Sequence, residues 1–107
     1  MSDWIPVCPV EDLPPGSHRV VDVDEETEVA VFNLDGNYYA IQDLCTHEEE
    51  KLTEGPVEGC EIVCPRHGAR FDIRTGQALT APAFEPTPTF PVRVEDGVIM
   101  TRDDRWD

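Results

Sequence analysis

The sequence is short and strongly acidic, and both properties limit what it can do. Its 107 residues carry 23 Asp or Glu against 8 Lys or Arg, a net charge of −15. Phosphate groups repel such a chain, so we expect neither nucleic acid nor an anionic membrane surface as its partner.

The first half of the chain is predicted to form strands joined by turns. Runs rich in β-branched and aromatic residues predict strands over residues 4–10 and 18–23. Residues 28–34 and 38–42 are predicted as a hairpin, because Asp35-Gly36-Asn37 between them is a typical hairpin turn.

The second half continues in the same way. Asp96-Gly97 predicts another tight turn, and the ten prolines and seven glycines argue against long helices. The tail, residues 102–107, is expected to fray. We therefore predict one all-β domain over residues 1–107, with a loop-rich region at about 43–87 inserted into a scaffold of sheets. Strands are predicted here over residues 61–63, 69–73, 77–79, 89–95 and 98–101.

Two short motifs carry metal-ligating side chains. Cys45-Thr46-His47 and Cys64-Pro65-Arg66-His67 lie with 16 residues between His47 and Cys64. Zinc could bind two Cys and two His, but its usual spacing pairs like ligands with each other. Each motif here pairs one Cys with one His, which suits a [2Fe–2S] cluster with two Cys on one iron and two His on the other. A zinc-binding module without redox activity remains the alternative.

The two motifs and the residues around them resemble the Rieske [2Fe–2S] family. The similarity continues through Gly68-Ala69-Arg70-Phe71-Asp72 and Ala81-Pro82 and covers nearly the whole chain. It implies a Rieske fold, an antiparallel sheet sandwich with an inserted cluster-binding subdomain at about 43–87. It also implies that Cys45 and Cys64 bind the buried iron, and that His47 and His67 bind the outer one.

Four positions imply a low reduction potential. High-potential Rieske proteins have a disulfide where this chain has Glu50 and Arg66. They also have hydroxyl side chains, which donate hydrogen bonds toward the cluster sulfurs, where this chain has Ala69 and Phe71. Such donors stabilise the reduced cluster and raise its potential, so we expect a low potential without them.

The sequence predicts an electron carrier and not an enzyme. It has three histidines, so only His18 would remain for the mononuclear iron of an oxygenase, which needs two His and a carboxylate. The resemblance is greatest to the stand-alone ferredoxins of bacterial multicomponent aromatic-ring dioxygenases. It implies a flavin-containing ferredoxin reductase as electron donor and a terminal oxygenase as acceptor. The alternative is a small Rieske subunit of another redox enzyme, such as assimilatory nitrite reductase.

Three further features of the sequence concern the location of the protein, an acidic run and two cysteines outside the motifs. The first residues lack the basic and apolar regions of a signal peptide, and no apolar run approaches the roughly 18 residues of a membrane helix, so we expect a cytoplasmic protein. Glu48, Glu49 and Glu50 follow the first motif and could lower the potential or form a docking face. Cys8 and Cys60 are expected to be small buried thiols.

Overall fold

The regular secondary structure of the described residues is almost entirely β-strand. The computed structural model describes residues 4–44, 51–65, 68–81 and 85–105. Apart from short 3₁₀ turns at Val10–Asp12 and Leu52–Glu54, the regular elements of these ranges are all strands, and no helix there could cross a bilayer. The strands are β1 (Ile5–Pro9), β2 (His18–Asp22), β3 (Glu28–Leu34), β4 (Asn37–Gln42), β5 (Val57–Glu58), β6 (Glu61–Val63), β7 (Arg70–Asp72), β8 (Thr89–Phe90), β9 (Val92–Glu95) and β10 (Val98–Thr101).

The strands form three antiparallel sheets. One has the order β1-β10-β9, the second β2-β3-β4-β8 and the third β5-β6-β7. In the third sheet, β5 and β6 lie between the two Cys/His motifs in the chain, and β7 follows the second motif. The predicted all-β, antiparallel fold class is confirmed.

Two hairpins have the turns that their sequences predict. Asp35 and Gly36 have φ angles of 54° and 93°, and Asp96 and Gly97 have 52° and 77°. Positive φ at both central residues matches the right-handed twist of the flanking strands. The turns therefore set the registers Leu34↔Asn37 and Val98↔Glu95.

The four-stranded sheet lies between the other two sheets, and its strand β3 is buried on both faces. Its strand β3 has five consecutive buried residues, as expected for a strand covered on both sides. Alternate side chains of β3 enter two separate hydrophobic clusters. The cluster toward β5–β7 contains Ala30, Phe32, Ile41, Leu52, Ile62, Cys64, Ala69, Phe71 and Ile73. The cluster toward β1 and β10 contains Cys8, Leu13, Val29, Val31, Ala40, Phe90 and Ile99.

Two predicted strands are different in the structure. The strand predicted over residues 89–95 is broken at Pro91, because proline has no N–H to continue the ladder. Its halves join different sheets: Phe90 pairs with Ala40, and Val92 pairs with Thr101. Residues 77–79 contribute only a single bridge, between Ala78 and Phe71.

The predicted fraying of the tail is wrong for the residues before Trp106. The Arg105 guanidinium donates to the buried Asp103 carboxylate at 2.7 Å and to the Thr27 hydroxyl at 3.2 Å. It also lies over the Phe90 ring, 5.4 Å from its centroid. These contacts fix the segment against the β2–β3 turn and keep the pKa of Asp103 below its usual value, because Arg105 donates a hydrogen bond to that carboxylate.

Candidate metal centre

The four sequence-predicted ligands are only partly covered by the described residues. Cys64 is described, whereas Cys45, His47 and His67 lie outside the described ranges. Glu48–50, Arg66 and Pro82 also lie outside them. Within the described ranges, no three Cys, His, Asp or Glu side chains come together as a metal site. The described residues do show how the chain around each motif is held.

Cys64 lies directly after β6 at the start of a closed turn. Its N–H donates to the Ala69 carbonyl at 2.7 Å, and its carbonyl accepts from the Gly68 N–H at 3.1 Å. Gly68 has a φ of +74°, which a side chain would strain. These bonds join the two ends of the second motif and hold Cys64, one of its predicted ligands, at the end of β6.

The Cys64 thiol is buried and chemically free. The residue is 1 % exposed and is not in a disulfide. It belongs to the hydrophobic cluster that also contains Ala69 and Phe71. A buried free thiol at this position fits an iron-bound thiolate, because metal coordination neutralises the charge that burial would otherwise penalise.

The segment after the first motif packs directly on the second. Leu52 is fully buried in the same hydrophobic cluster as Cys64. Gly55 lies so close to the Val63 carbonyl that a Cβ atom there would overlap the carbonyl oxygen, and it would lie 3.2 Å from Cδ of Pro65. Val63 and Pro65 are the two neighbours of Cys64. The fold therefore brings the chain on either side of the predicted cluster ligands into contact.

Sequence reasoning gave Gly55 no role. Its φ of −98° is one that any residue adopts, so the backbone conformation at this position does not require glycine. It is glycine because of a neighbour eight residues away. That requirement becomes visible only once the two segments are placed together.

The loop at residues 80–87 is hydrogen-bonded to the rest of the fold at both ends. At its start, the Arg70 N–H donates to the Thr80 hydroxyl at 3.0 Å. At its end, the Thr87 N–H donates to the Gly76 carbonyl at 2.8 Å, and the Thr87 hydroxyl donates to the Gln42 carbonyl at 3.3 Å. Gly76 is essential here, because a Cβ atom would overlap the Thr87 carbonyl oxygen. The loop that contains Ala81-Pro82, part of the family similarity, therefore starts and ends at fixed points.

The two basic side chains that the structure describes just after the second motif, Arg70 and Arg74, are paired with carboxylates. Arg70 contacts Glu58 at 3.0 Å and Glu61 at 3.4 Å, and the Arg74 guanidinium contacts Asp72 at 3.1 Å. The hydrogen bond from Arg74 lowers the pKa of Asp72, and the carboxylate raises the pKa of Arg74. These two cations are therefore neutralised locally. Over the whole sequence, 23 Asp or Glu against 8 Lys or Arg give the net charge of −15.

The two cysteines outside the motifs differ from each other. Cys8 is 7 % exposed on β1, as predicted, and burial raises the pKa of its thiol. Cys60 is half-buried on the turn between β5 and β6 and is therefore less enclosed than predicted. Both are free thiols.

Comparison with known proteins assigns the family. Residues 3–91 match the Rieske [2Fe–2S] domain. The 3-phenylpropionate/cinnamic acid dioxygenase ferredoxin subunit of Escherichia coli K12 is 42 % identical over 94 residues, which cover 87 % of each chain.

Two solved structures are similar in fold and sequence. The ferredoxin of carbazole 1,9a-dioxygenase from Nocardioides aromaticivorans IC177 has a TM-score of 0.87 and 33 % identity over 94 % of this chain and 98 % of its own. A chain of the complex of reduced oxygenase and oxidized ferredoxin in carbazole 1,9a-dioxygenase has a TM-score of 0.87 and 34 % identity over 92 % of both. The chain therefore belongs to the Rieske [2Fe–2S] domain family, and its cofactor is a Rieske-type [2Fe–2S] cluster.

Proposed function

We propose that this chain carries single electrons from an NAD(P)H-dependent flavin reductase to a terminal Rieske non-haem iron oxygenase. The observation that carries the proposal is the similarity, over 92 % of both chains, to a chain of an oxygenase–ferredoxin complex. The similar curated proteins are named as ferredoxin subunits of a dioxygenase. We also propose a cytoplasmic location, because the reductase of this proposal draws on NAD(P)H.

The proposal assigns one cluster to four side chains. Cys45 and Cys64 bind one iron, and His47 and His67 bind the other. The cluster supplies reversible one-electron transfer without bond changes in a substrate. The protein provides a buried thiol at Cys64 and an apolar surrounding on that side of the site. We assign the cluster to a subdomain at about 43–87, supported by the contact of Gly55 with the chain beside Cys64.

The direct test is reconstitution. The purified protein, a flavin reductase of an aromatic-ring dioxygenase system and its terminal oxygenase are mixed, and product formed per NADH consumed is measured with and without this chain. We expect turnover to depend on the chain, and the reduced protein to give the rhombic paramagnetic resonance signal of a His-ligated [2Fe–2S] centre. A colourless protein that contains zinc would overturn the proposal.

Ala69 offers a test of the low potential. The residue is fully buried in the same cluster of side chains as Cys64. Replacing Ala69 by serine places a hydroxyl donor where high-potential relatives have one. We expect the midpoint potential to rise by about tens of millivolts, within the span of Rieske centres. Protein-film voltammetry measures it.

The control for this substitution is Ala40→Ser. Ala40 is also buried, at 2 % exposure, but it lies in the hydrophobic cluster toward β1 and β10. It should lose a similar amount of stability and leave the potential unchanged. Equal potentials for wild type and Ala69→Ser would show that a hydroxyl at this position does not reach the cluster.

The acidic surface predicts salt-dependent electron transfer. A charge of −15 attracts a partner with a basic docking face, and this attraction weakens as the Debye length falls from about 10 Å at 0.1 M salt to about 3 Å at 1 M. We expect the second-order rate constant with the reductase or oxygenase to fall about tenfold or more over that range. Stopped-flow absorbance measures it, with an uncharged mediator as control. A flat dependence would limit the acidity to a role in solubility.

A further inference from the structure

Asp43 is a buried carboxylate close to the first ligand motif in the chain. The residue lies two positions before Cys45 and is 4 % exposed. Both of its carboxylate oxygens are used. Oδ1 accepts from the Thr53 N–H at 2.8 Å, and Oδ2 accepts from the Thr53 hydroxyl at 2.7 Å. A buried carboxylate is unfavourable unless it is bonded in this way, so the pair is a specific feature of the site.

The two partners bracket the first ligand motif. Asp43 precedes residues 45–50, and Thr53 follows them. Asp43 is itself fixed to the four-stranded sheet, because its N–H donates to the Glu28 carbonyl at 2.9 Å at the start of β3. Thr53 is fixed to the other side, because its neighbour Leu52 is fully buried in the hydrophobic cluster that contains Cys64.

We infer that Asp43 and Thr53 form a latch that positions the first ligand motif, Cys45 and His47, relative to Cys64. The inference rests on the proposed ligand set. Two ligand pairs on separate segments must be held at one separation for a cluster to bind both. The latch ties Asp43 to Thr53, which are ten positions apart in the chain. It thereby joins the four-stranded sheet to the segment that packs on the second motif. Both are positioning residues, which act on the cluster only through its ligands.

An exposed ion pair supplies the matched control. The Lys51 ammonium contacts the Glu28 carboxylate at 3.0 Å and so also joins the segment after the first motif to the start of β3. Unlike the latch, this pair is exposed, at 51 % and 38 % of the two side chains. Exposed ion pairs contribute little, so Lys51→Met should behave as wild type.

The experiment compares holoprotein variants by three readouts. They are the line widths of the paramagnetic resonance signal of the reduced protein, the midpoint potential, and the rate of cluster loss to a chelator, followed by visible absorbance. The variants are Asp43→Ala, Thr53→Val, their combination, and Thr53→Ser. Asp43→Ala removes both acceptor oxygens of the latch. Thr53→Val removes only the hydroxyl bond, so it remains informative if Asp43→Ala fails to fold.

We expect Asp43→Ala and Thr53→Val to lose the cluster roughly tenfold faster than wild type and to broaden the signal, because the ligands then occupy a range of positions. The combined variant should lose the cluster no faster than Asp43→Ala, because both residues belong to one latch. Thr53→Ser keeps the hydroxyl and should restore wild-type behaviour.

Separate outcomes overturn the latch and the proposed function. Variants with lower thermal stability but wild-type line widths, potential and cluster loss would show a role in folding only, and would overturn the latch. The proposed function is tested on the wild-type protein, by its turnover with reductase and oxygenase. A wild type that shows the Rieske signal without turnover would overturn the proposed carrier role and leave the latch to be decided by the variants.

Discussion

Replacing Cys64 by serine is expected to give a colourless protein without the Rieske paramagnetic resonance signal. Serine supplies a poor ligand for iron, and the site at position 64 is 1 % exposed, so water cannot take the place of the missing thiolate. The ligand set would then be incomplete and the cluster should not assemble. Visible absorption, iron content and the signal of the dithionite-reduced protein measure the loss, which we expect to be nearly complete.

Cys60→Ser is the matched control for that experiment. Cys60 lies four residues earlier in the chain, is half-buried and is also a free thiol. It stands outside both motifs, so its replacement should leave the colour, the iron content and the spectrum as they are in wild type. A Cys64→Ser protein with unchanged colour and spectrum would remove Cys64 from the ligand set.

The second large effect is expected from Gly55→Ala. A methyl group at position 55 would overlap the Val63 carbonyl oxygen, and this neighbour is backbone that cannot turn away. The two segments must separate to make room, next to Cys64. We expect the free energy of unfolding to fall by about 3 kcal/mol or more, at the upper end of overpacking effects, together with a lower yield of holoprotein. Denaturant unfolding and iron content per chain measure the two effects.

Gly59→Ala separates this steric effect from a backbone effect. Gly59 has a φ of +64°, which alanine tolerates poorly, but open space surrounds the position where a Cβ atom would lie. We expect a loss of about 1 kcal/mol there, with normal cluster content. If Gly55→Ala destabilised the protein no more than Gly59→Ala and kept a normal cluster content, the close packing beside Cys64 would not be needed to hold the cluster.

Local sequence signals predicted the features that depend on neighbouring residues. The Asp-Gly turns at positions 35–36 and 96–97 require positive φ, which is a property of those two residues and of the hairpin twist. Residues 28–34, which precede a hairpin turn, were predicted as a strand, and that strand, β3, is buried on both faces. The Cys/His pairs predicted the type of cofactor, because ligand chemistry is carried by the residue types themselves.

Features that depend on distant contacts were missed. Residues 89–95 have a continuous strand composition, and only the sheets that receive each half show that Pro91 divides them. The tail after β10 was expected to fray because it lies at the chain terminus. Arg105 instead reaches Thr27, which is 78 positions earlier.

The sequence by itself determined the class of fold, the type of cofactor and the family resemblance of this protein. The tertiary structure decided which residues support the site. Gly55 is required by the Val63 carbonyl, and Asp43 is required by Thr53, on the far side of the first motif. Turn and ligand preferences act within a few residues, whereas these requirements arise only when separate segments pack against each other.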